Sequence, residues 1–381
     1  MSNARNLANL LGTGTQITTA DIADGAFQAN KNLIINGAMQ VAQWGNVSIN
    51  DVNAYGGPDR FVTWVNGTTA TVNVSQSNNA PDGFANSYRI ETTSAGNFNA
   101  GSSYQIWGQI FEGQNLQGLA FGTSSAKTVT ASFWVRSSQT GIMNIEFRNQ
   151  SASKHNISQY TISSANTWEY KTITFTGDTA SGFANSNALG AYLIHWGKSG
   201  SSFNTGTAPT NGWVNLSATN FAAGATLDYI SGVGRYIEFT GIQLELGDTA
   251  TPFEHRSYGE ELARCQRYYT SSFSGETTVG GSHPANYAGK AFSWCDQYGS
   301  SPDRVAFNWN WSVQMRATPT ITMYGNQWTA ARVSRYNGGN TEYTIDYASG
   351  SSRNGLGGYY DVAAGATGDF VVAYVEADAE L

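Results

Sequence analysis

The sequence predicts an all-β protein: two jelly-roll-like antiparallel β-sandwich domains joined by a short α-helix, preceded by an extended or helical N-terminal segment. Three observations carry this. Long stretches alternate apolar and polar residues with a period of two, the repeat of a half-buried strand. Gly, Asn, Ser and Thr punctuate those stretches at short intervals, and the 43 glycines suit tight turns. One compact charged segment, TPFEHRSYGEELARCQRYY (251–269), interrupts the pattern and reads as helix. No fixed-period repeat supports a solenoid or propeller.

Residues 1–31 stand apart. ARNLANLLG spaces Leu7, Leu10 and Leu11 for one or two helical turns, and Ile17, Ile22 and Phe27 follow as lone apolar residues in a small, polar stretch. This segment cannot bury those side chains alone. It stays mobile, or it packs against copies of itself or against another protein.

Residues 32–253 read as the first sandwich. TVTASFWVR sets Val129, Ala131, Phe133 and Val135 on one face and Thr130, Ser132, Trp134 and Arg136 on the other. KTITFTG opposes Ile173 and Phe175 to threonines, and GIQLELG opposes Ile242, Leu244 and Leu246 to Gln243 and Glu245. The spacing suggests a jelly roll.

Residues 254–270 form the connector helix. Pro252 ends the strand region, and Ser257 with Glu260 has the spacing of a capping box. Tyr258, Leu262, Cys265 and Tyr269 make one apolar stripe, expected to meet a domain face or a sister helix, with Glu260, Glu261, Arg264 and Arg267 away from it. Residues 271–381 read as a second, smaller sandwich, with strands in RVAFNWNWSVQM, TPTITMYG, TEYTIDYA and FVVAYVEA.

Composition narrows the function. Charged residues are 12% of the chain and aromatics 13%, which argues for a packed core and against disorder. The net charge of −7 and the lack of a basic run argue against nucleic-acid binding. No apolar run reaches the ~20 residues of a membrane-spanning helix. The N-terminus lacks a secretory h-region, so synthesis in the cytoplasm is expected. Cys265 and Cys295 lack metal-finger spacing; they either bridge or sit as small buried hydrophobes.

Catalytic signatures are sparse. His155, His195, His255 and His283 are scattered without metal-site spacing, and no nucleophile elbow, P-loop or dinucleotide fingerprint occurs. No metal or cofactor is expected. Glu112, Glu146, Glu169, Asp228, Glu238 and Glu245 are available for glycoside chemistry, but sequence pairs none of them, and Asp59 beside Arg60 reads as a structural ion pair. Binding is the better reading, because aromatic faces among hydrogen-bonding residues hold sugars. Tyr336, Tyr343, Tyr347, Tyr359 and Tyr360, in YNGGNTEYTIDYASGSSRNGLGGYYD (336–361), either form a recognition surface or fill the smaller domain's own core.

NLIINGAMQVAQWG (32–45) and GGPDRF (56–61) resemble the opening of virion structural proteins of marine tailed phages, cyanophages among them. GIQLELGDTATPFEHRSYGEELARCQRYY (241–269) is similar to the junction that ends their first β domain, and MRATPTIT (315–322) and ADAEL (377–381) to their C-terminal portion. Trp44 stands where those proteins' turn would carry a basic residue. The resemblance implies a homotrimeric tail fibre in the virion, non-enzymatic, docked to other virion proteins by its N-terminus and binding a host-surface glycan or protein. A capsid-decorating head fibre and a tailspike-type polysaccharide depolymerase are the alternatives.

Overall fold

A computed structural model describes residues 31–207, 210–272, 291–297, 303–324, 330, 332–335, 342–348, 351–362 and 370–381. The docking candidates Leu7, Leu10, Leu11, Ile17, Ile22 and Phe27 lie outside the described residues, as does Tyr336.

Two antiparallel sheets face each other in the N-terminal part. The first orders β1 (Val47–Ile49), β4 (Thr71–Ser77), β5 (Ser87–Ser94), β13 (Tyr236–Leu246), β7 (Val129–Ser137) and β10 (Glu169–Phe175). The second orders β12 (Val214–Asn215), β9 (Lys154–Ile162), β8 (Gly141–Asn149), β11 (Leu189–Trp196), β6 (Tyr104–Glu112), β3 (Phe61–Asn66) and β2 (Asn53–Tyr55). Strands far apart in sequence are neighbours in both, as a jelly roll requires.

The predicted alternation sets the core. Val129, Ala131, Phe133 and Val135 of β7 are fully buried, as are Met143, Ile145 and Phe147 of β8. Removing a ring as buried as Phe133 costs about 3–5 kcal/mol, because the void closes only in part. His195 and Tyr160 form a polar but neutral pair in this core. His195 lies flat on Trp107 with centroids 4.0 Å apart, and its Nδ1 meets the Tyr160 hydroxyl at 2.9 Å. Burial holds the His195 imidazole well below its ordinary pKa. Midway along β13 the register with β7 shifts between Thr240 and Gln243, where Gly241 takes φ +61°. The bulge needs a residue without Cβ there, since one would stand 2.6 Å from the Phe84 ring.

Between β11 and β13 the chain makes an excursion that carries α1 (Ser201–Asn204), β12 and a 3₁₀ turn (Ala218–Asn220). After β13 comes α2 (Tyr258–Gln266), inside the predicted connector. Ser257 caps it by accepting from Glu260 N, and Glu260 pairs with Arg264 one turn on.

The buried face of α2 differs from the predicted stripe. Cys265 is fully buried and carries a free thiol, so no bridge to Cys295 forms. Its companion is Glu261, expected in solvent but buried, because it accepts from Asn36 N at 2.6 Å and faces Arg256 at 3.6 Å. Leu262 is half-buried and Tyr258 is 58% exposed. Tyr269 is buried beyond the helix, on a strand.

The C-terminal strands share one sheet. Its order is β14 (Tyr269–Ser271), β22 (Phe370–Asp378), β15 (Ala291–Gln297), β16 (Asp303–Asn310), β21 (Gly355–Val362), β19 (Glu342–Ala348) and β18 (Arg332–Arg335). β18 also pairs with β22, so the strands from β22 round to β18 close a ring. β17 (Thr320–Tyr324) joins the second half of β22, and β20 (Ser351–Ser352) joins β21. Closing a sheet on itself leaves fewer open edges.

Among the described residues, the sandwich and the C-terminal sheet meet at one seam. Arg256 donates to the carbonyls of Asn32 and Ile34 and pairs with Glu254. Asn36, at φ 63°, donates from Nδ2 to Val41 O and Asp59 O and accepts from Val41 N, closing the NGAM turn on GGPDRF. Asp59 and Arg60 do not pair as the sequence suggested. Asp59 accepts from the backbone and side-chain nitrogens of Gln43, and Arg60 pairs with Glu380 and donates to Ile110 O. Trp44 stacks on Tyr269 with centroids 3.7 Å apart. Arg316 donates to Ala379 O, Glu380 O and Asn187 O. Residues from all five segments that carry the phage resemblance therefore converge here.

Candidate functional site

The candidate site is the outer face of the second sheet. Strand register lays its side chains in rows. Trp64, Ile106, Trp196 and Asn144 form one row, Val62, Gly108, Ile194 and Glu146 the next, and Ile110, Tyr192, Arg148 and His155 the third. One end of this face is covered by the connector, where Arg267 and Tyr268 donate to Glu112. The other is covered by the excursion, whose Phe203 and Phe221 pack on Trp196. The half-buried rings of Trp64 and Tyr192 remain between them, 6.3 Å apart and edge to face. Gly108, registered between Val62 and Ile194, puts no side chain there, and a Cβ would lie 2.2 Å from Leu193 O.

A charged network underlies the rings. Glu146, fully buried, accepts from Arg148 Nε and Nη2 at 2.8 Å, from Trp196 Nε1 at 2.9 Å, and meets His155 Nδ1 at 3.0 Å. Burial opposes its ionisation, yet Arg148 and His155 outweigh burial and hold the carboxyl down at about 2. The Arg148 guanidinium lies 4.4 Å from the Phe221 centroid and 5.5 Å from that of Tyr192. The guanidinium is thus within cation–π range of both rings, which helps to fix Arg148. Partly exposed rings beside a fixed guanidinium can hold the C–H faces and hydroxyls of a sugar.

The remaining acids weighed from sequence are tied into structure. Glu238 takes Arg89 and Arg136, Glu112 takes Arg267, Glu169 takes Lys171, Asp228 takes Lys198, and Glu245 accepts from Thr251 and Gln243. No group of three or more His, Cys, Asp or Glu among the described residues could hold a metal. None of the described helices is long and apolar enough to cross a membrane.

The predicted tyrosines lie elsewhere. Tyr343 and Tyr347 stand on β19, and Tyr359 and Tyr360 on its neighbour β21, in the C-terminal sheet. Sequence reasoning missed the Glu146 network, since its members come from β8, β9 and β11. The i, i+2 spacing of Glu146 and Arg148 was the one local signal, as it puts both on one strand face.

No protein-family model and no curated protein matches the sequence. Solved structures resemble the chain at the level of β architecture. The enzymatically active domain of bacteriophage CBA120 tailspike protein 4 aligns over 57% of this chain and 21% of its own length, with 14% identity and a TM-score of 0.31. The chain thus spans about a fifth of that protein. A CBM4 carbohydrate-binding module aligns over 56% of this chain and 98% of its own, with 14% identity and a TM-score of 0.29. The tripod from the baseplate of bacteriophage Tuc2009 aligns over 61% of this chain and 60% of its own, with 15% identity and a TM-score of 0.26. Likenesses of this size fix neither ligand nor activity.

Proposed function

We propose that this chain is a non-enzymatic structural protein of a phage virion, a trimeric tail fibre related to those of marine phages. It docks through residues 1–31 and holds a host-surface glycan on its β domains. The convergence of the phage-like segments in one seam carries this reading. They are the parts that join the two β units, through the Arg60–Glu380 pair, the Trp44–Tyr269 stack and the Arg316 bond to Asn187 O. The half-exposed Trp64 and Tyr192 support glycan binding, because weak single sites gain avidity when several copies act together. Tyr258, 58% exposed on the connector, offers a contact for a second copy.

A head-decorating fibre would share these features and differ in its socket. A depolymerase needs a carboxyl free to protonate or attack, and Glu146 is instead engaged by its own neighbours. Deleting residues 1–31 tests the docking: the truncated protein should remain a soluble trimer by light scattering and fail to enter particles. A monomer, or normal incorporation of the truncated chain, would contradict the fibre reading.

A further inference from the structure

Beside the aromatic face, at the β9–β12 edge, lies a cleft of about 210 Å³ lined by His155, Ile157, Thr207, Thr210, Gly212, Val214 and Asn220. His155 is fully buried, and its Nε2 has no hydrogen-bond partner. An unpartnered buried ring nitrogen costs stability unless something visits it. We infer that this cleft is a subsite for one neutral sugar ring, with His155 Nε2 accepting a hydroxyl proton from it. The inference deepens the glycan-binding reading above and rests on it.

The tautomer follows from the network. Glu146 is an acceptor-only carboxylate, so the imidazole nitrogen facing it, Nδ1, carries the proton. With Nδ1 protonated, Nε2 of the neutral tautomer is an acceptor, and it has no hydrogen-bond partner within the protein. A lone pair accepts from a hydroxyl and repels a phosphate or carboxylate oxygen. The charge of Glu146 is already matched by Arg148, so the site offers no surplus charge to an ion. The lining contains no carboxylate for a cation.

The other walls suit the same ligand. Ile157 and Val214 give apolar surface for ring C–H groups. Asn220 Oδ1 accepts from Thr207 N at 3.1 Å, which leaves the amide NH₂ as a donor. Thr207 and Thr210 add hydroxyls that both donate and accept. The volume falls below the roughly 300–1,000 Å³ of drug-sized pockets, which favours a single ring over a chain.

The test is NMR of the full-length protein with ¹⁵N-labelled histidine, titrated with glucose, galactose, mannose and N-acetylglucosamine, and separately with inorganic phosphate. At least one sugar should move the His155 Nε2 resonance, and Val214→Trp, which fills the cleft from an exposed edge strand, should remove that response. A response to phosphate in place of sugars would overturn the inference. So would no response at all, or one that V214W leaves intact. Host adsorption by the Trp64 and Tyr192 face, measured in parallel, separates the two ideas. If that face binds host glycan while His155 stays silent, only the cleft assignment fails. If His155 responds but the protein never competes with phage adsorption, the receptor reading fails and the subsite stands.

Discussion

The guanidinium of Arg60 lies over the ring of Tyr268, its Cζ 3.4 Å from the centroid. One residue belongs to the sandwich and the other follows the connector helix. Arg60 also pairs with Glu380 and donates to Ile110 O at 2.8 Å, so one buried cation ties three segments together. Arg60→Ala should cost about 3–5 kcal/mol, because it strands the Glu380 carboxylate in a buried site. Arg60→Lys should rescue little, as an ammonium neither stacks nor forks. Chemical denaturation with limited proteolysis checks this: the C-terminal sheet should become the first region cut.

Trp44 makes a second prediction. It stacks between Tyr269 at 3.7 Å and Tyr55 at 5.9 Å, so an aromatic here takes the place of a charge. Trp44→Arg should lower stability by about 1–3 kcal/mol, while Trp44→Phe should lose less. Thermal unfolding of both variants against the parent measures the difference.

Acidity should act on the fold in two opposed ways. Burial raises Asp59 to about 6 against the pull of its Gln43 and Trp44 donors, and raises Asp378 to about 6 against Arg316 and Arg60. A folded-state value above the usual ~3.9 means that the folded chain takes up these protons first, so stability rises as pH falls from 7 toward about 4. Glu146 works the other way. Its carboxyl is held at about 2, so its contribution is full above the ordinary ~4.3 and is lost as pH drops below that. The melting temperature should therefore peak at mildly acidic pH, and Asp378→Asn should flatten the limb between pH 7 and the peak.

The aromatic face yields a binding prediction. Trp64→Ala and Tyr192→Ala remove half-buried rings that pack on the Ile106, Ile194 and Trp196 cluster outside the main core, and should lower stability by about 1 kcal/mol each while the fold persists. Each should weaken binding to host envelope glycan by about ten-fold, the loss of one stacking contact. Surface plasmon resonance on immobilised glycan provides the readout. Unchanged affinity in both variants would move the receptor site off this face.

The strands were legible because each is a local pattern. β7 needs nothing beyond its own nine residues to declare its core face, and all four predicted inward residues have no exposure, but Thr130 and Ser132 on the predicted outer face are buried as well, with Thr130 donating to Gly247 O. The same reasoning failed on α2, where Glu261 looked like a solvent residue. Its partners, Asn36 and Arg256, are set by tertiary contact and not by helical spacing. β13 shows the limit from another side. Gln243 and Glu245 read as a polar outer face, yet both are fully buried, because the chain returns over them and Thr251 bonds Glu245. The candidate site was hidden for a like reason, since Glu146, His155 and Trp196 meet only once three strands align.

The central claim is that this chain is mounted on a phage particle and reaches the host through its β domains. Gold-labelled antibody against the C-terminal sheet, viewed on intact particles by electron microscopy, tests it most directly. The account predicts label at the tail extremity and loss of host adsorption when the antibody is bound. Particles without label, or labelled particles that adsorb normally, would contradict it.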